Sequence, residues 1–217
     1  MDLFCSDRDL LAIEPLVFLL GGGPAQELSA GDDGAISGTT FSSAASHFES
    51  AGVQPGMVLA ASPGAAAAGG AYEIVTVDSP TALRVSVLRA DPQADRIAPP
   101  AGSELVFSIR TYRPQIRNVS DTMAEKLRQI VEVSGVASAD FADSAQLAAA
   151  CAHGVLAAVF VARAESASPA DANWVKAEHY RREFLRLQLQ LRLAVDSDAD
   201  GVAERTRTLG NVSLRRV

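Results

Sequence analysis

Three aspartates at alternate positions, Asp196, Asp198 and Asp200, followed at once by Gly201, form the densest set of possible metal ligands in the chain. Carboxylates at positions 1, 3 and 5 of a calcium loop converge on a hard cation, and a glycine at position 6 allows the turn. The second half of such a loop is missing. Its twelfth position, where a bidentate glutamate belongs, is Arg207, so an ion would rest on the three aspartates and on Glu204 at the ninth position. The spacing therefore predicts weak calcium binding at best, and a plain acidic turn satisfies the same residues.

The other residues that could do chemistry are scattered. His47, His153 and His179 have no neighbours at metal-ligand spacing, and on a helix Cys151 and His153 point about 200° apart, so they cannot share a ligand. Cys5 and Cys151 are the only cysteines, far apart and outside any C-x-x-C pair, which predicts neither a disulfide framework nor a zinc ribbon. Gly21-Gly22-Gly23 follows no hydrophobic strand and reads as a helix stop rather than a phosphate cradle. No nucleophile elbow, phosphate-binding loop, dinucleotide fingerprint or zinc-protease motif occurs. The expectation is a protein without catalytic activity and without a cofactor.

Charge points elsewhere. The formal net charge is -7, yet residues 181 to 217 hold eight Arg against five Asp or Glu, while the first 180 residues hold 11 Lys and Arg against 21 Asp and Glu. A basic end on an acidic body suits head-to-tail contact with partners or copies, because opposite potentials steer encounter. The arginines have no aromatic interleaving of the kind that binds single strands, so any contact with DNA would be non-specific. No signal peptide or membrane span is expected, since the start lacks a basic region and the apolar run from Pro15 to Leu20 is short.

The elements that must position these residues fall into four stretches. Residues 6 to 20 predict an amphipathic helix with Ser6 as N-cap, interrupted at Pro15 and stopped by the glycines. From residue 26 to 112 the period changes to two, with strand-like runs at 39 to 41, 57 to 60, 72 to 77, 83 to 88 and 104 to 112. The helical period returns after Pro114, with a capping box at Thr122 to Glu125, a helix over 145 to 164 capped by Asp140 or Asp143, and another opened by Ser168-Pro169. In residues 185 to 193, Leu185, Leu187, Leu189, Leu191 and Leu193 alternate with Arg186, Gln188, Gln190 and Arg192, which favours a strand over a continued helix. That reading makes the chain end a long hairpin with one greasy and one polar face.

The expected fold class is thus α+β: a helical bundle, made of the N-terminal helix and three later helices, with an inserted small β-barrel-like module and a C-terminal β-hairpin. The expected domains are 1 to 25 (helix of the helical domain), 26 to 113 (β module), 114 to 184 (helical domain) and 185 to 217 (hairpin or tail). Residues 185 to 192, with Arg215 and Arg216, are the expected interface, because an edge ribbon of this kind is a template for another chain.

Several segments carry a resemblance: D-L-L-A-I-E-P-L-V-F at 9 to 18, S-G-T-T-F at 37 to 41 and F-E-S-A-G-V-Q-P-G-M-V-L at 48 to 59. It continues through Y-E-I-V-T-V-D-S-P-T-A-L-R-V-S-V-L at 72 to 88 and R-P-Q-I at 113 to 116, and ends in D-S-D-A-D-G at 196 to 201. In these and in the order of its parts the chain resembles the head-to-tail connector (adaptor or neck) proteins of tailed bacteriophages. The resemblance implies a structural virion protein, made in the bacterial cytoplasm, that forms a ring of about a dozen subunits in the virion neck. It implies a portal protein on one side and a tail-side neck protein on the other, non-specific contact with genome DNA in the channel, and no membrane. A tail-tube or tail-completion protein is the alternative from the same setting.

Overall fold

The period-two runs of the first half close on themselves. In the computed structural model, which describes residues 3–19, 23–62, 69–134, 138–196 and 205–208, they form strands β1 (Gln26–Ser37), β2 (Thr40–Ser42), β3 (Val58–Ser62), β4 (Gly70–Ser79), β5 (Ala82–Ser86) and β6 (Gly102–Thr111). All pairings are antiparallel, and the order β1-β2-β5-β4-β3-β6 makes a closed barrel in which β6 returns to β1. Closure leaves the barrel without an open edge. Its interior is filled by Phe41, Phe48, Leu59, Ile74, Leu105, Phe107 and Ile109, among others, with Phe41 edge-on to Phe107 at 4.9 Å.

Strand β1 has no counterpart among the sequence expectations, because its Gly31-Asp32-Asp33-Gly34 centre looks like a turn. The glycines have a different task. A Cβ on Gly31 would lie 2.9 Å from the Phe107 ring, and one on Gly34 would lie 2.9 Å from the Phe41 ring and 3.0 Å from the Leu105 carbonyl oxygen. The bare backbone lets two aromatic rings come close to the strand, and the register against β6 shifts between these glycines.

Two short helices complete this unit, α1 (Asp7–Ile13) and α2 (Leu16–Leu19), divided at Pro15 as the sequence predicts. The Asp9 carboxylate accepts from the Ser6 N–H at 2.7 Å and the Ser6 hydroxyl at 2.8 Å, which fixes the start of α1. Both helices pack on β3 and β4, and the Tyr112 hydroxyl donates to the Val17 carbonyl at 3.0 Å while its ring meets Phe18. The chain accordingly divides into Ser6–Arg113 and a second unit of Met1–Cys5 with Pro114–Val217. This corrects the expected fold class. The N-terminal helix is not the first member of a helical bundle around an inserted module; its apolar stripe is buried on the barrel, and the barrel is a principal body of the fold rather than an appendage.

In the second unit α3 (Arg113–Ser134) leads to β7 (Ser138–Phe141), α4 (Ser144–Arg163), α5 (Ala172–Gln190), β8 (Arg192–Asp196) and β9 (Arg205–Thr208). Asp143 caps α4 by accepting from the Ala145 and Gln146 N–H groups. Helix α4 is the core of the unit, with Ala150, Cys151, Ala152, Val155, Leu156, Val159 and Phe160 buried. It is the one described helix long and apolar enough to cross a membrane, and burial on most of its circumference explains that composition. Small residues bring its neighbours close: a Cβ on Gly154 would stand 3.0 Å from both Phe184 of α5 and Val119 of α3. Helix α3 starts nine residues before the expected capping box, and the Thr122 hydroxyl donates back to the Asn118 carbonyl within the helix.

The strand reading of residues 185 to 191 is also corrected. Residues up to Gln190 continue α5, and β8 begins only at Arg192. The alternation of leucines lost to the i, i+4 spacing of the same residues, because Tyr180 and Gln188 anchor this helix against the rest of its unit. A shorter hairpin follows, β8 pairing with β9 on one side and β7 on the other.

Candidate assembly surface

Helix α5 presents the residues that the sequence marks as an interface, but on a helical face. Asp171 caps it, accepting from the N–H groups of Asn173 at 2.8 Å and Trp174 at 3.3 Å, and its second oxygen accepts from Ser166 and Glu165. These backbone N–H groups, that of Ser166 foremost, hold the Asp171 carboxyl below the usual carboxylate range. The inner face is fixed by aromatic contact: Tyr180 stacks on Phe160 of α4 with centroids 5.6 Å apart, and the Lys176 ammonium lies over the same Phe160 ring. Near the end of the helix the buried Gln188 accepts from Lys126 of α3 at 2.9 Å.

With that face committed, the opposite one carries exposed apolar side chains. Val175 is 47% exposed, Leu185 48% and Leu189 60%. At about 100° per residue these three fall within a sector of about 80° along the helix. Glu178 and Arg182 lie in the same sector, between Val175 and Leu185, and Arg186 lies about 20° beyond it. Arg186 donates to the Gln190 side-chain amide oxygen at 3.1 Å and pairs with Glu183 at 2.7 Å, and its bond to Glu183 is the foremost cause of the lowered Glu183 carboxyl pKa. The exposed apolar residues are thus Val175 near the start of the helix and Leu185 with Leu189 near its end, with charged side chains among them.

The remaining predicted interface residues divide. Leu187 lies half-buried on α5; Leu191, the C-cap, is buried, and Arg192 opens β8 as an exposed residue. The three-stranded sheet has β9 at its edge, paired with β8 alone among the described residues. Arg215 and Arg216 lie outside the described residues. So do Asp198, Asp200 and Glu204 of the possible calcium loop; Asp196 is the last residue of β8. Among the described residues no group of three or more His, Cys, Asp or Glu side chains is placed to hold a metal. His153 Nδ1 lies 2.8 Å from the Ala149 carbonyl of its own helix and its ring meets Tyr180, both structural contacts.

The barrel unit holds charged groups that sequence reasoning missed. Glu73 of β4 is buried between Arg8 of α1 and Arg89, each guanidinium Nε donating to one carboxylate oxygen at 2.5 Å. Arg89 also donates to the Ala94 carbonyl at 2.6 Å, and Arg8 to the Arg89 carbonyl. Asp7 is buried at the barrel end, where its carboxylate accepts from the Thr111 hydroxyl at 2.6 Å and the Tyr112 N–H at 2.8 Å. Burial outweighs these bonds and raises its pKa to about 6. An open groove of about 270 Å³ runs beside β6, walled by Phe18, Leu19 and Val106 and rimmed by the Glu27–Arg110 ion pair. Ser62 and Ser108 are also part of its lining. Pairings across a gap of 65 residues (Arg8 with Glu73) leave no local sequence signal.

The two cysteines are also brought together. Cys5 and Cys151 lie with their Sγ atoms 2.9 Å apart, 146 residues apart in sequence. Comparison of the chain with protein-family models, with curated proteins and with solved structures finds no match.

Proposed function

We propose that this chain is a structural component of a tailed-bacteriophage virion, a head-to-tail connector that assembles as a ring between portal and tail components. The observation that carries the reading is the exposed pair Leu185 and Leu189 on α5, with Val175 on the same side of the helix and Arg182 and Arg186 beside them, followed by a sheet that ends at β9 among the described residues. A folded chain that keeps such apolar side chains in water gains by covering them, and a ring contact between copies does so on every subunit. The acidic first 180 residues and the basic end supply opposite charges for the approach. In this reading the portal and tail-side neck proteins are the partners, genome DNA passes through the ring with non-specific contacts only, and no catalytic step takes place.

The alternative of a tail-tube or tail-completion protein draws support from the closed six-stranded barrel. Both readings require self-association. Light scattering on the full chain after size-exclusion chromatography tests them: the wild type is expected to assemble, and the variant carrying Leu185→Asp with Leu189→Asp is expected to elute as a folded monomer. Equal assembly by both proteins would refute the role of this face.

A further inference from the structure

We propose that Cys5 and Cys151 are a redox modification site, an intramolecular dithiol that a low-molecular-weight disulfide converts to a disulfide bond. Both carry thiols in the structure, and their 2.9 Å separation is within about 0.9 Å of the bonded S–S length of about 2.05 Å. The approach is built by the surrounding residues. The Phe4 N–H donates to the Ser120 hydroxyl of α3 at 3.1 Å, the Phe4 ring packs edge-on against Phe141 of β7, and Ser120 Oγ lies 3.6 Å from Cys151 Sγ. The segment bearing Cys5 is therefore held in place before any bond forms, which raises the effective concentration of one thiol at the other. A pair this distant in sequence has no reason to meet unless the fold brings it together.

Accessibility orders the reaction. Cys5 is 7% exposed and Cys151 is 0% exposed, so Cys5 is the thiol that solvent-borne oxidant reaches. Its thiolate attacks a sulfur of oxidised glutathione, forming a mixed disulfide and releasing one glutathione thiolate. Cys151 then attacks Cys5 Sγ and displaces the second glutathione thiolate, which takes up the Cys151 proton. Two protein thiols are oxidised and one glutathione disulfide is reduced to two thiols. In a reducing cytoplasm the pair stays reduced; in an oxidising medium it closes. Closure fastens to α4 the residue at which the chain passes from one unit into the other, so that residues before Ser6 can no longer leave the helical unit. The inference goes beyond the connector reading and does not depend on it.

The test equilibrates the full chain in glutathione redox buffers without oxygen, both native and in 8 M urea, then quenches with acid, alkylates the remaining thiols and measures intact mass. The expected native product has lost two hydrogens and takes up no alkylating group. Its effective molarity should exceed that of the urea-unfolded chain by about 100-fold or more. The oxidised native protein should melt about 5–10 °C above the reduced one, a shift absent from Cys5→Ala. Equal effective molarity in native and unfolded chains, glutathione adducts or intermolecular dimers in place of the internal bond, or a bond without a rise in melting temperature would each overturn the proposal.

Discussion

Asp7 makes the stability of the barrel unit depend on pH in the direction opposite to most carboxylates. It is 3% exposed, and burial lifts its pKa from 3.8 to about 6 against the pull of the Thr111 and Tyr112 hydrogen bonds. Because the folded value lies above the unfolded one, the folded chain holds more protons between these limits. The free energy of unfolding therefore falls as pH rises through that window, is fully present below about pH 4 and levels off above about pH 6. A difference of about 2 units corresponds to about 3 kcal/mol. Asp33, Asp78, Asp171 and Glu183 have lowered values and act in the other direction, losing stability as the pH drops. The measurement must cancel them. Asp7→Asn keeps the shape of the side chain: its oxygen accepts from the Tyr112 N–H, and its amide donates to the Thr111 hydroxyl oxygen. Urea unfolding followed by far-UV circular dichroism, with hydrogen exchange of residues 102 to 113 to report on β6, should be run on both proteins from pH 4 to 7.5. The stability of the variant relative to wild type should rise by about 3 kcal/mol across that range. Parallel curves would show that Asp7 ionises in the folded state as it does in water, and the burial argument would fail.

Glu73→Ala should destabilise the barrel unit by about 3–5 kcal/mol, since it strands the Arg8 and Arg89 guanidinium groups without their carboxylate, and chemical denaturation reads the loss. Gly34→Ala should lower stability by about 1–3 kcal/mol, because the new methyl meets the Phe41 ring and the Leu105 carbonyl, whereas Gly38→Asn, in a tight hairpin with nothing within 4 Å, should lose less than about 1 kcal/mol; thermal melts of both compare them directly.

How far the sequence discloses the fold depends on how local the cause is. Pro15 divides α1 from α2 and Asp143 caps α4 because each acts on its immediate neighbours, and both are readable from the chain. Five of the six barrel strands lie where period two and turn residues predict them. Strand β1 was hidden, since the reason Gly31 and Gly34 suit a strand is the presence of Phe107 and Phe41 on other strands. The assignment of α1 to the barrel was hidden for the same reason: an apolar stripe shows that a helix is buried and not against what. Residues 185 to 190 fit both a strand and a helix, and Tyr180, Gln188 and the α4 contacts decided for the helix. Whether these residues run as strand or helix was therefore not legible locally, and Cys5 and Cys151, separated by 146 residues, gave no sign of meeting.

The central claim is ring assembly, and negative-stain or cryogenic electron microscopy of the purified full chain, without its partners, tests it most directly. Closed rings with cyclic symmetry and a central channel, lost when Leu185 and Leu189 are changed to Asp, are the predicted result. Particles that remain single chains of 22.7 kDa at every concentration and salt tried would contradict the account.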